Sequence, residues 1–202
     1  MKNAGITVIV VVALVGGLAL YEVMKPPALR EPSAAQIKTQ VDTLKAEAAK
    51  QHPGMAQSDA MKEVATAQAT ELLKKGDAQT RARTAASIFF GSYYMNTRAR
   101  PAYCQQRGVN LAPFVAAFDR AHREELNRAR EIFLGAGIDP ESMVPKIQSQ
   151  FVSMVDQDMK DFAAGAQVAP ESACDLFNQN STIIAEAIQL PPEVKQALLA
   201  KD

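Results

Sequence analysis

His122 is the residue whose type and setting offer chemistry most directly. It sits in the apolar register of a predicted long helix, with Asp119 three residues before it and Glu125 three after. An imidazole and carboxylates one turn apart can supply metal ligands from one helix, as they do in helical bundle sites. A metal needs three or four ligands, and the only other histidine, His52, falls in a loop beside Pro53-Gly54. The plainer alternative is a partly buried histidine held by a neighbouring carboxylate. No metal and no cofactor is assigned; Asp119, His122 and Glu125 are the residues that would hold a metal.

Cys104 and Cys174 are the only cysteines, an even pair of the kind exported proteins oxidise. A bond between them closes a loop of about 70 residues, worth roughly 4 kcal/mol in the chain-entropy account. Two separate buried thiols are the alternative. Phe89, Tyr93 and Tyr94 lie in a run, residues 88–95, that is apolar or aromatic nearly all round a helix. With Tyr103 they either line a groove for an apolar ligand or lipid, or pack as core.

Glu141-Ser142 and Glu171-Ser172 each resemble, over two residues, the Glu-Ser pair of the lytic transglycosylases of the cell wall. Those enzymes are largely helical and use that glutamate as a general acid. The resemblance implies a glycan-cleaving glutamate whose pKa is raised by an apolar site. The Gly-Leu-Met-Gln run of that family is missing here, and both glutamates fall in helix first turns, where acids are favoured anyway. There is no Gly-x-Ser-x-Gly, His-Glu-x-x-His, Cys-x-x-Cys or phosphate-binding glycine loop. A non-enzymatic protein is the favoured reading, with catalysis left open.

Charge is balanced in total but not in placement. The 202 residues carry 22 basic and 22 acidic side chains, so nothing points to nucleic acid. Residues 78–130 hold nine arginines against three acids, a net of +6; residues 131–202 hold four lysines against eleven acids, a net of −7. Either the two halves fold together and neutralise each other, or arginines such as Arg98, Arg100 and Arg107 face a partner. Asp119–Arg123, Arg120–Glu124 and Glu124–Arg128 stand at i, i+4, which predicts ion pairs lacing one helix face.

The elements that position these residues are helical throughout. Residues 4–21 are uncharged and apolar after Lys2, just long enough to span a bilayer. Residues 1–24 therefore read as a membrane anchor, or as a signal segment with a small-x-small cleavage site at Gly17-Leu18-Ala19. Residues 25–32 form a proline-spaced linker. Residues 33–75 read as a polar, alanine-rich helical pair, the first capped by Ser33, with Ile37, Val41, Leu44 and Ala48 as a narrow apolar stripe, and ended at His52-Pro53-Gly54, the second with Met61, Val64, Ala65, Ala69 and Leu72 as its apolar face.

Residues 77–202 read as the core domain. Asp77 caps a helix that Pro101 ends; Asn110 caps a long helix running through His122 to Gly135 or Gly137; Asp139-Pro140 starts another with Phe151, Met154 and Phe162 inward. No strand alternation appears. The expectation is an all-α chain: an N-terminal transmembrane or signal helix, then a multi-helix domain of about six helices pinned by one disulfide. Flanking charge does not decide orientation; the cysteine pair favours export. Function follows as an expectation: a non-enzymatic interaction or accessory protein of the cell envelope. It would be held in the inner membrane by residues 4–21 facing the periplasm, or be secreted there if the segment is cleaved. A protein partner is expected and nucleic acid is not; oligomeric state is open.

Overall fold

The computed structural model describes residues 34–55 and 57–200. The apolar run 4–21, the linker 25–32 and the expected Ser33 cap lie outside the described residues. Among the described residues no helix is long and apolar enough to cross a membrane.

The aromatic run forms the axis of the fold. Asp77 caps α3 (Ala78–Tyr94), its carboxylate accepting the Thr80 amide at 2.8 Å. Just before it, Gly76 takes a left-handed φ of +91°, a conformation that ends the preceding helix and that side chains resist. Every residue from Thr84 to Tyr94 is buried, so the helix is enclosed on all sides, as its composition requires. Its buried hydroxyls bond back into the helix: Thr84 Oγ1 donates to the Thr80 carbonyl and Ser87 Oγ to that of Arg83.

Three helices supply the enclosure: α2 (Gln57–Lys74), α6 (Arg123–Gly135) and α10 (Pro192–Leu199) all pack on α3. α1 (Ala34–Gln51) folds back on α2 and also meets α7 (Val144–Ala166). Leu44 and Ala48 of α1 and Met61, Val64, Ala65 and Ala69 of α2 are buried as the spacing expects. Leu73 rather than Leu72 closes that face. One continuous core runs from Leu44 to Leu198, so the alanine-rich pair shares the interior of the rest. Small alanine faces allow close backbone approach, which lets two weakly apolar helices join that core.

Pro101 does not end the aromatic helix, contrary to the expectation above. The chain stays helical from Ala78 through Gln105. Met95–Ala99 is π-helical, and the Arg100 amide reaches the Met95 carbonyl five residues back. Widening the turn ahead of the proline removes the clash that a regular helix would suffer, and Pro101 becomes a first-turn residue of α4 (Arg100–Gln105). The polar residues of the π turn are satisfied locally: Asn96 Nδ2 donates to the Ser92 carbonyl and Thr97 Oγ1 to that of Tyr93.

The expected long helix is broken at His122 into α5 (Ala112–Ala121) and α6. His122 has φ −114° and ψ 23°, outside helical values. After α7, the short helices α8 (Ala173–Gln179) and α9 (Ser181–Ala187) return to the body, α9 lying against α5. A disulfide joins Cys104 of α4 to Cys174 of α8. The described residues form an all-helical fold with this disulfide as its covalent pin.

Candidate functional site

His122 is turned inward at the α5–α6 break and is 3% exposed. Its Nε2 lies 3.1 Å from the Ala185 carbonyl. That carbonyl belongs to the last turn of α9, where no intrahelical amide follows to bond it. A carbonyl only accepts, so Nε2 carries the hydrogen and His122 acts as a side-chain cap for α9. Burial holds the imidazole below its ordinary pKa, with the Ala185 hydrogen bond and the Glu125 carboxylate acting in the other direction.

The two acids flanking His122 have partners of their own. Glu125 is buried and pairs with Lys195 Nζ at 2.7 Å, tying α6 to α10. Asp119 faces the Tyr93 hydroxyl; burial first, then the Asp119 charge and hydrogen bond, push that phenol up. Among the described residues no three His, Cys, Asp or Glu side chains come together as a metal site.

A second buried polar centre was not singled out from the sequence. Arg100 and Asp158 are each fully enclosed, and Arg100 Nη2 meets Asp158 Oδ2 at 2.5 Å. Arg100 Nη1 also donates to Asn96 Oδ1, and its Cζ stands 4.7 Å from the Phe177 ring centroid. Burial pushes the Asp158 carboxyl up and the facing guanidinium opposes that shift. The reading of Arg100 as partner-facing is therefore corrected: it is a core residue, because the π turn before it rotates its side chain onto α7 and α8. Asp158 had a legible signal. Phe151, Val155, Asp158 and Phe162 follow at 4, 3 and 4 spacing, which places an acid in a buried stripe.

The other arginines are on the surface. Arg98 is exposed, and Arg107 is exposed with its guanidinium 3.5 Å from the Tyr103 ring centroid. Arg120, Arg123 and Arg130 are exposed too. None of these five has a carboxylate partner among the described residues. The expected i, i+4 lacing is absent. The break at His122 takes Arg123 and Glu124 out of register with Asp119 and Arg120, and Arg128 turns instead to Glu131 and the Ala200 carbonyl. Of the arginines in residues 78–130, only Arg100 and Arg128 reach an acid of the C-terminal half among the described residues.

Phe89, Tyr93, Tyr94 and Tyr103 are all buried. Phe89 stacks on Tyr93, and Phe90 on Tyr94 and on Phe133 of α6, so these rings fill space between helices. An open cleft of about 430 Å³ lies elsewhere, between α2, the start of α3 and α10; Leu73, Ala82 and Ala197 line it, with Lys74 and Arg81 also in its wall. Glu141 and Glu171 are exposed, each in the first turn of a short 3-10 helix, Pro140–Met143 and Pro170–Ser172. Compared with protein-family models, curated proteins and solved structures, the chain matches none of them.

Proposed function

We propose that the chain is a non-enzymatic accessory protein of the cell envelope. Residues 4–21 hold it in the inner membrane, and the helical domain faces the periplasm and binds a protein partner. The observation that carries this reading is the contrast in how charged and reactive groups are used. His122, Glu125, Arg100 and Asp158 are enclosed and paired within the fold, whereas Arg81, Arg98, Arg107, Arg120, Arg123 and Arg130 stand exposed with no carboxylate in ion-pair reach among the described residues. Unmatched surface arginines are a feature of partner surfaces, where they are enriched. The Cys104–Cys174 bond supports an oxidising compartment. Exposed Glu141 and Glu171 lack the apolar enclosure that a general acid needs.

Photo-crosslinking in intact cells tests this. A photo-reactive residue at Arg98 or Arg107 should yield a discrete adduct, and the same residue at buried Phe89 should not. Absence of an adduct at both surface positions would remove the support for a partner.

A further inference from the structure

The outward face of α6 is complementary to itself, and we infer that two copies of the chain pair through it, helix beside helix in parallel, across a two-fold axis. This rests on the reading of the domain as an anchored interaction module and names its partner as a second copy.

The argument begins with helical spacing. At 3.6 residues per turn, Asn127 and Leu134 lie on one line along α6. Arg123 and Arg130 fall about 40–60° to one side of that line, and Glu124 and Glu131 about 40–60° to the other. All six are exposed, and Leu134 is 65% exposed, the most of any large apolar side chain described. The opposite side of α6, with Glu125, Leu126, Ala129 and Phe133, is buried. So the free face carries an arginine edge, a central Asn–Leu line and a glutamate edge. Arg123, Arg130 and Glu124 make no ion pair among the described residues, and Glu131 has only a 3.4 Å contact with Arg128.

A two-fold axis parallel to the helix sets the arginine edge of one copy against the glutamate edge of the other. Arg123 then meets Glu124 of the partner subunit, and Arg130 meets Glu131 of the partner subunit, each twice by symmetry. An antiparallel pair would set arginine against arginine. The central line places Asn127 against its own copy, the kind of polar contact that fixes register in paired helices, and covers Leu134 with Leu134 of the partner subunit. A helix of 13 residues is about 20 Å long. Its face is small beside the ~1,200–2,000 Å² of a stable interface, so the pairing is weak and salt-sensitive in solution. Residence in one membrane raises the effective concentration.

The test uses single introduced cysteines, since the described protein has no free one. Full-length Asn127→Cys, Leu134→Cys and, as a control at an exposed position of α1, Thr43→Cys are placed in lipid vesicles, oxidised and run without reductant. Both α6 variants should form covalent dimer several-fold faster than Thr43→Cys. Equal rates for all three overturn the pairing, and cross-linking at Asn127 without Leu134 overturns its parallel sense. R123E with R130E should bring the Asn127→Cys rate down to the control, and adding E124R with E131R should restore it; no restoration overturns the charge match. Flotation of the same vesicles separates the two claims. Flotation without cross-linking sinks the pairing only, cross-linking without flotation sinks the anchor only, and neither sinks both.

Discussion

Arg100 of α4 and Asp158 of α7 meet at 2.5 Å with both side chains fully enclosed. Four residues on, Cys104 bonds Cys174, and three residues beyond Cys174, Phe177 lies under the Arg100 guanidinium. An ion pair, a cation–π contact and a covalent bond thus join α4, α7 and α8 within one turn of one another. Both side chains are fully buried, and Arg100 Nε and Asp158 Oδ1 are left without a hydrogen-bond partner among the described residues.

Breaking that pair should be severe. Asp158→Asn or Asp158→Ala leaves a buried guanidinium without its carboxylate, at about 3–5 kcal/mol, whereas Arg100→Met with Asp158→Leu should recover much of the loss. Urea denaturation of the three variants measures it. Equal destabilisation by the single and double replacements would contradict this account of the pair.

His122 makes stability depend on pH. Its folded pKa is below the ordinary 6.5, so as pH falls below about 6.5 the unfolded chain takes up a proton that the folded chain resists, and stability is lost. Above that pH this contribution is flat. Urea midpoints between pH 7.5 and 5.5 should fall for the wild type and stay level in His122→Gln, whose side-chain amide can still donate toward the Ala185 carbonyl from the Nε2 position. A fall of the same size in both would rule His122 out as the cause.

Tyr94 offers the opposite sign. Its hydroxyl is buried without a hydrogen-bond partner among the described residues, and burial pushes the phenol well up. Removing an unmatched buried hydroxyl while keeping the ring should be neutral or stabilising by about 1 kcal/mol. Thermal unfolding of Tyr94→Phe checks it; a clear drop in Tm would mean that the hydroxyl has a partner after all.

Gly76 should tolerate no side chain. Its φ is +91°, and an added Cβ would stand 2.9 Å from Thr80, the residue whose amide the Asp77 cap holds. Gly76→Ala should cost about 1 kcal/mol or more from the backbone strain, read as a lower urea midpoint. An unchanged midpoint would contradict the close fit.

Much of this fold was legible because caps and apolar spacing are local. Asp77, the aromatic run 88–95, the Leu44–Ala48 stripe and the cysteine pair fall where the sequence puts them. The misses are tertiary. Pro101 reads as a stop unless a π turn precedes it, and nothing local announces that turn. Spacing continues through His122, yet the carbonyl that draws His122 inward is 63 residues away. Arg100 reads as a surface charge until Asp158 is placed opposite it. Asp158 was readable as an acid in an apolar register, and the surface arginines became informative only once their expected i, i+4 partners were out of reach.

The proposal of an exported domain rests most directly on Cys104 and Cys174 being bonded in the cell. Cells are lysed into denaturant with a heavy thiol-reactive tag, with and without prior reduction. An exported, disulfide-bonded domain should give no tagged species without reductant and a two-tag species after it. Two tags on the unreduced protein would contradict both the disulfide in the cell and the oxidising compartment it implies.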